Sequence, residues 1–372
     1  MAAANDVARN KVGAIQGVTL RAIHGGAMKA LVYYSPGRFG WETRLRPRLH
    51  EAGDALVRIT TTTICGTDLH ILQGDVPTVR EGRVLGHEGV GVVEEVGSGV
   101  AEFKVGDRVI VSCITACLKC DPCLREMYSH CVHGGWMLGN RIDGTHAEHV
   151  RIPQADGSLH HVPEGGDEEA LVMLSDVLPT GFECGVLNGR VRPGSSVAIV
   201  GAGPIGLGTL LTAQFYSPGA VYVVDVDDRR LAAARELGAT AVVNSRDGQA
   251  ASRLMELTGG VGVDTAIEAV GVPETFGLCQ EILAAGGCLA NIGVHGRPVT
   301  LHLEKLWDRN VTITTRLVDT VTTPKLLNMI VAGRLKPKQL VTHRFALDAM
   351  MKAYGVYANA GEAGALKVVL RA

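Results

Sequence analysis

Between residues 56 and 109 the apolar positions come in short β-rich runs, at 56–61, 89–95 and 106–110, cut by glycines. This pattern predicts a mainly β domain with many turns. Strand-like residues 29–33 precede it, directly after Met28. Residues 167–189 carry a helical pattern, with Ala170, Leu171, Met173, Leu174 and Val177 apolar and an interruption expected at Pro179. From residue 196 the pattern changes to short apolar strands at 196–200, 221–225, 241–243, 263–268 and 288–292. They alternate with helical segments at 204–215, 227–237, 249–257 and 273–283. Such alternation predicts a parallel, doubly wound sheet covered on both faces, to which 311–314 would add a last strand. Helices are expected at 324–331 and 347–357, and 366–370 reads as a strand returning to the first domain. The class is therefore α/β, with the doubly wound domain inserted between two parts of a β-rich one.

The first strand of that sheet runs into a glycine-rich turn, Val197-Ala198-Ile199-Val200-Gly201-Ala202-Gly203-Pro204-Ile205-Gly206. Glycines at 201, 203 and 206 permit a tight turn, close approach of backbone to a pyrophosphate, and close packing of helix on strand. A second strand ends in Asp225, about 20 residues on, where a carboxylate can hold a ribose 2′-hydroxyl. The expected ligand is a dinucleotide. Asp225 should repel a 2′-phosphate and so favour NAD over NADP, while Arg229 and Arg230 oppose that preference because a guanidinium neutralises phosphate. Pro204, Ile205 and Arg230 complete the expected site near the turn. Gly271, Gly293 and Val294, each just past a strand end, are expected near the cofactor, the last two near the nicotinamide.

Composition narrows the function classes. The 372 residues suffice for two domains, and the net charge of −2, with no basic stretch interleaved with aromatics, argues against nucleic acid. The nearly apolar stretch 197–215 approaches membrane-spanning length, but its three-glycine turn and strand-to-helix switch explain it without a membrane. Residues 1–27 hold several basic residues and one acidic residue without clear periodicity, so they read as a misassigned start or a weak organelle-targeting peptide. The Asn310-Val311-Thr312 acceptor pattern is taken as chance.

Nine cysteines, an odd number with no signal peptide, fit a reducing compartment and a metal better than a disulfide scaffold. Cys117, Cys120, Cys123 and Cys131 present four thiols within fifteen positions, a donor set for a closed, structural zinc site in the lobe 113–131. Cys113 is read as a core or spare thiol, and Cys184, Cys279 and Cys288 as small buried hydrophobes. Cys65 and His87 fall between strands, in stretches read as loops, and Asp176 falls where the two domains meet. Spacing alone does not unite these three.

Taken together and in order, Cys65-Gly66-Thr67-Asp68-Leu69-His70, Gly86-His87-Glu88, Gly106-Asp107-Arg108-Val109, the four-cysteine lobe and the glycine-rich turn resemble the zinc-dependent medium-chain alcohol dehydrogenases. The resemblance runs from Met28 to the end. Asp176, followed by Pro179-Thr180-Gly181-Phe182, resembles the bacterial secondary-alcohol branch, whose third catalytic zinc ligand is an aspartate. Gly135-Trp136 is similar to a pocket-lining segment of that branch. Two departures stand out: that branch often lacks the cysteine lobe, and its NADP-preferring members have a small residue where this chain has Asp225.

The resemblance implies a GroES-like catalytic domain over 28–178 and 319–372, with a Rossmann domain over 179–318 and an extension at 1–27. It implies a catalytic zinc on Cys65, His87 and Asp176, a second zinc in the lobe, and NAD. By the same resemblance Thr67 would bond the alcohol oxygen and His70 would deliver the proton toward solvent. Glu88 would act behind the zinc, and Trp136 would line the substrate pocket. The implied reaction is oxidation of a primary or secondary alcohol to an aldehyde or ketone. Polyol, butanediol and sugar-alcohol dehydrogenases share this machinery and are the main alternative. A zinc-free quinone-reducing or crystallin-like relative would leave Cys65, His87 and Asp176 unused, and a zinc-containing interaction module would explain the cysteine lobe but leave the glycine-rich turn and Asp225 unused. A cytoplasmic homo-oligomer, a tetramer before a dimer, is the implied assembly.

Overall fold

A computed structural model describes residues 26–372, so the extension read at 1–27 lies almost wholly outside the described residues. Three sheets organise the chain. Strand Ala27–Ser35 pairs with Arg38–Leu45 and with Arg83–Val84 in a small antiparallel sheet. A larger sheet is built round Ala55–Ile64, which pairs antiparallel with Gly89–Val96, with His149–Ile152 and with the C-terminal strand Lys367–Arg371. The expected return of the last strand is therefore observed, with Val368 opposite Ile64.

The third sheet has six parallel strands, in the spatial order Ala241–Asn244, Ala220–Asp225, Ser196–Val200, Val263–Glu268, Leu283–Asn291, Thr312–Thr315. Numbered along the sheet's own sequence this is 3-2-1-4-5-6, the order of a Rossmann domain. Strand order reverses between Ser196–Val200 and Val263–Glu268, and a crevice opens beyond their carboxyl ends, where such sheets bind ligands. Nearly every expected strand and helix of this domain is present, within a few residues of its expected ends.

Two expectations need correction, and both concern the site. Residues 65–70, read as loop, lie in and at the cap of a helix, Gly66–Gln73. Asp68 caps its start by accepting from Cys65 N at 2.8 Å, and Gly74 ends it in the left-handed conformation at φ 89°. The helix of 167–189 is broken at Asp176 (φ −148°, ψ −59°), not at Pro179. Pro179 falls in the first turn of the second half, where its missing N–H would lack a helical partner anyway. Beyond it the helix continues in wide, π-type turns over Thr180–Leu187.

The broken helix sits between the domains. Leu171, Val172, Leu174, Val177 and Val186 pack in one core with Val197, Ile199 and Leu207 of the Rossmann domain and with Val90, Ile110 and Val369 of the other. Among the described residues no single helix is long and apolar enough to cross a membrane. The bent pair Glu168–Leu174 and Val177–Leu187 passes on length and composition, but it is this buried connector.

Candidate active site

Three chain segments meet at the seam between the domains. Cys65 stands at the cap of helix Gly66–Gln73, His87 and Glu88 immediately precede strand Gly89–Val96, and Asp176 sits at the helix break. One donor atom from each of Cys65, His87, Glu88 and Asp176 lies within 4.8 Å of all the others, and all four residues are buried. His87 Nε2 is 3.6 Å from Asp176 Oδ2, and Cys65 Sγ is 3.7 Å from the same oxygen. Burial by itself lowers the His87 pKa, but its bonds to Asp176 and Cys65 carry it well above the usual imidazole value. Burial pushes the Cys65 thiol up. Burial likewise works to raise Asp176, yet His87 and the Thr180 hydroxyl hold it down, to about 2.

One thiol, one imidazole and one carboxylate that converge in a buried site suit zinc. The residues fit the metal. Behind them, His87 Nδ1 is 3.8 Å from Asp68 Oδ1, and both atoms are buried without a hydrogen-bond partner. Glu88 is engaged elsewhere: Oε2 accepts from Lys367 Nζ and Thr63 Oγ1, while Oε1 is buried and unpartnered. Lys367 and Glu88 are 1% and 0% exposed, so this is a fully buried ion pair.

The remaining expected residues surround this centre. Thr67 Oγ1 lies 3.7 Å from Cys65 Sγ. His70, one turn further along the helix, pairs through Nδ1 with Asp75 at 2.9 Å. The Trp136 ring meets His87 edge-on with centroids 6.4 Å apart. Cys113, read from the sequence as a core or spare thiol, is buried as expected but places Sγ 3.6 Å from Asp176 Oδ1. Cys113 and Trp136 belong to an apolar cluster with Ile114, Cys184, Val318 and Ile292.

In the lobe the thiols of Cys117, Cys120, Cys123 and Cys131 also lie within 4.8 Å of one another. Cys117 N donates to Cys131 Sγ at 3.3 Å. A backbone bond from Val132 draws Cys120 down to about 6, whereas burial pushes Cys123 up to about 12. Four convergent thiols with no other donor fit a closed zinc site.

A crevice of about 1050 Å³ runs from the Rossmann turn to helix Gly66–Gln73, with Gly201, Gly203, Pro204, Asp225, Arg230 and His70 on its wall. Gly201 adopts φ 109°, and a Cβ on Gly206 would meet Gly201 O at 1.8 Å, so helix and strand are in backbone contact. Asp225 holds the turn itself, accepting from Ala202 N at 2.7 Å through Oδ2 and from Asp227 N at 2.9 Å through Oδ1. Ile205 stands in the first turn of helix Pro204–Ala213. Gly271, Gly293 and Val294 pack together past the ends of the next strands: a Cβ on Gly271 would meet Val294 O at 2.3 Å, and one on Gly293 would meet Gly271 N at 2.3 Å. This backbone cradle, with its acidic strand end, fits a dinucleotide.

Sequence reasoning missed Lys367, Thr63, Asp68, Thr180 and the contact of Cys113. Asp68 was legible as a helix cap three residues after Cys65. Lys367 was not, because only the pairing of the last strand with Ala55–Ile64 brings it 279 positions back to Glu88.

Two family models match the chain, Alcohol dehydrogenase GroES-like domain over residues 51–164 and Zinc-binding dehydrogenase over residues 204–332. An alcohol dehydrogenase of Cupriavidus necator is 37% identical over 364 residues, covering 92% of this chain and 98% of the relative. An NADP-dependent isopropanol dehydrogenase of Thermoanaerobacter brockii is 34% identical over 336 residues, covering 88% and 95%. Among solved structures, the apo form of zinc dependent alcohol dehydrogenase 2 from Streptococcus pneumoniae superposes with a TM-score of 0.89 at 52% identity, covering 92% of this chain and 98% of that one.

Proposed function

Because the chain belongs to the zinc-dependent medium-chain alcohol dehydrogenases, and interconverts an alcohol and a carbonyl compound in a zinc-dependent, NAD-linked reaction, we propose that its substrate is a small apolar primary or secondary alcohol. The observation that carries this reading is the apolar cluster beside the donors: Cys113 Sγ lies 3.6 Å from Asp176 Oδ1, the Trp136 ring meets His87 edge-on, and Ile114, Cys184 and Val318 pack with them, Tyr128 bringing the cluster's one hydroxyl. A polyol with several further hydroxyls would leave most of them unpaired against such a cluster, at a cost of about 1–3 kcal/mol each. The isopropanol specificity named for the Thermoanaerobacter brockii relative supports the same direction.

In this reading Cys65, His87 and Asp176 hold the catalytic zinc and Cys117, Cys120, Cys123 and Cys131 the structural one. When bound, zinc supplies Lewis acidity toward the alcohol oxygen, and NAD accepts the hydride. Thr67 accepts the hydroxyl proton's hydrogen bond and orients the oxygen. His70, on the same helix face three residues on and at the crevice wall, passes the proton to solvent. Glu88, backed by Lys367, keeps negative charge behind the metal centre, and Trp136 closes the apolar side. Asp225, with Gly201, Gly203, Pro204, Ile205, Gly206, Arg230, Gly271, Gly293 and Val294, places the dinucleotide and favours NAD over NADP.

The working division of the chain is 28–178 and 319–372 for the catalytic domain and 179–318 for the Rossmann domain. The assembly is a cytoplasmic homo-oligomer, a tetramer before a dimer. Zinc per subunit in the unaltered protein, Cys65→Ser and Asp176→Ala, with NAD reduction on ethanol, 2-propanol, 2,3-butanediol and sorbitol, tests the whole reading. Two zincs falling to about one in both variants, with turnover lost and 2-propanol or ethanol preferred in the parent, is the expected result. Sorbitol as the best substrate would overturn the substrate class, and two retained zincs in Asp176→Ala would overturn the ligand set.

A further inference from the structure

The two oxygens of Asp176 are not equivalent. Oδ2 faces His87 Nε2 at 3.6 Å and Cys65 Sγ at 3.7 Å. Oδ1 has other partners: it accepts from Thr180 Oγ1 at 2.6 Å, with Cys113 Sγ 3.6 Å from it. The backbone builds this arrangement from both sides. Thr180 N donates to Asp176 O at 2.8 Å, setting the threonine one turn beyond the aspartate, and Cys113 N donates to Ser175 O at 3.0 Å, tying the thiol's own segment to the residue before Asp176. Thr180 and Cys113 thus converge on one oxygen from two different elements.

A carboxylate can bind a metal through one oxygen or both. Two oxygens would add a ligand to zinc and crowd the position that an alcohol needs, since a catalytic site of this metal keeps one place open beside three protein ligands. Partners that hold the far oxygen also fix the side chain's rotation, as outer-shell bonds do for ligating histidines and carboxylates. We propose that Thr180 and Cys113 are positioning residues that reserve Oδ1, so that Asp176 presents Oδ2 alone and the open coordination place is kept for substrate. This rests on the reading of Asp176 as a ligand. Thr180 supplies the shorter bond and carries most of the effect; Cys113 adds the second restraint and contributes a wall to the same apolar cluster.

The test uses full-length Thr180→Val, Cys113→Ala, the double variant, Thr180→Ser and Asp176→Ala. Zinc affinity of the more weakly held metal is read by chelator competition. The coordination number is read from the visible absorption of protein carrying cobalt at that site, the Asp176→Ala spectrum being subtracted to remove the cysteine lobe. Thr180→Val and the double variant should lose about 10–100-fold in affinity, the usual scale for outer-shell partners, with a weaker cobalt band as coordination expands. Thr180→Ser should restore both, which loss of packing alone would not allow. Retention of the lobe metal in every variant certifies folding. Parental affinity and band intensity in the double variant, with Asp176→Ala down to one metal, would overturn the inference while leaving Asp176 a ligand. Two metals in Asp176→Ala would remove the ligand reading and the inference with it.

Discussion

Lys367 is a fully buried cation whose charge is answered by Glu88 and whose Nζ also donates to Ile64 O at 3.2 Å. Burial works against its charge, but the Glu88 carboxylate and the Cys65 sulfur raise its pKa above the ordinary lysine value. Removing one member of such a pair strands the other in low dielectric, which costs about 3–5 kcal/mol, whereas removing both is close to neutral. Lys367→Met should therefore lose about 3–5 kcal/mol in urea unfolding, and Lys367→Met with Glu88→Gln should recover most of it. Equal losses in the single and double variants would show that packing, not charge, is what Lys367 contributes. A second residue-scale prediction concerns acid. Burial lowers the His160 pKa from 6.5 to about 4. The unfolded chain then takes up the proton first, so the stability that neutral His160 supplies is complete above about pH 6.5 and is lost as pH falls toward 4, at up to about 1.4 kcal/mol per unit. His160→Asn should flatten that part of the stability profile by on the order of 1–3 kcal/mol, and an unchanged slope between pH 6.5 and 4 would refute it. At this scale the sequence spoke for residues whose chemistry is rare. Four clustered cysteines were legible as a site, because nothing in packing explains them. Lys367 and Cys113 were not, because lysine and cysteine are common and only strand pairing and the helix break give them their neighbours.

At the scale of elements, period and punctuation carried most of the information. Strands of the Rossmann sheet are continuous apolar runs because both faces are covered, and glycine or proline marks most of their ends, so few were missed. Helix Gly66–Gln73 was missed because eight residues between two strands give too few turns for a periodic signal; its markers were Asp68 and Gly74. Pro179 misled because a proline tolerated in a first turn looks the same in sequence as one that ends a helix. The glycine-rich turn offers a prediction that separates fold from binding. A Cβ on Gly206 would sit 1.8 Å from Gly201 O, a backbone atom that cannot give way, whereas one on Gly203 would meet nothing within 4 Å. Gly206→Ala should thus lower both the melting temperature and NADH affinity. Gly203→Ala should leave melting unchanged while weakening NADH about tenfold or more, because its methyl stands on the crevice wall where a pyrophosphate must approach. Fluorescence titration beside thermal melts distinguishes them, and unchanged NADH affinity in Gly203→Ala would place the pyrophosphate elsewhere.

The whole molecule explains why its centre could not be read from any one stretch. Cys65 and His87 come from the β-rich domain, Asp176 from the connector, and Lys367 from a strand formed only when the chain returns. The surface then suggests how copies assemble. Strand Thr312–Thr315 stands at an edge of the six-stranded sheet, and in the segment leading into it Val299, Leu301, Leu303 and Trp307 are 37%, 44%, 60% and 78% exposed. A free edge flanked by apolar side chains is a ready template for a second sheet, and a two-fold pairing there would join two sheets into one. Apolar side chains also stand exposed on the cysteine lobe, where Leu124 and Val132 are 72% and 66% exposed. One self-complementary patch closes a dimer; two on different domains can close a tetramer. Leu303→Asp with Trp307→Asp should therefore reduce the proposed tetramer to a dimer held by the lobes, and Leu124→Asp with Val132→Asp to a dimer held by the sheets. All four changes together should give a monomer in sedimentation velocity, with both zinc sites still filled. A parent protein that sediments as a monomer would defeat the assembly outright. A lobe variant that stays tetrameric would leave the sheet edge standing and show that the second contact is made by another face.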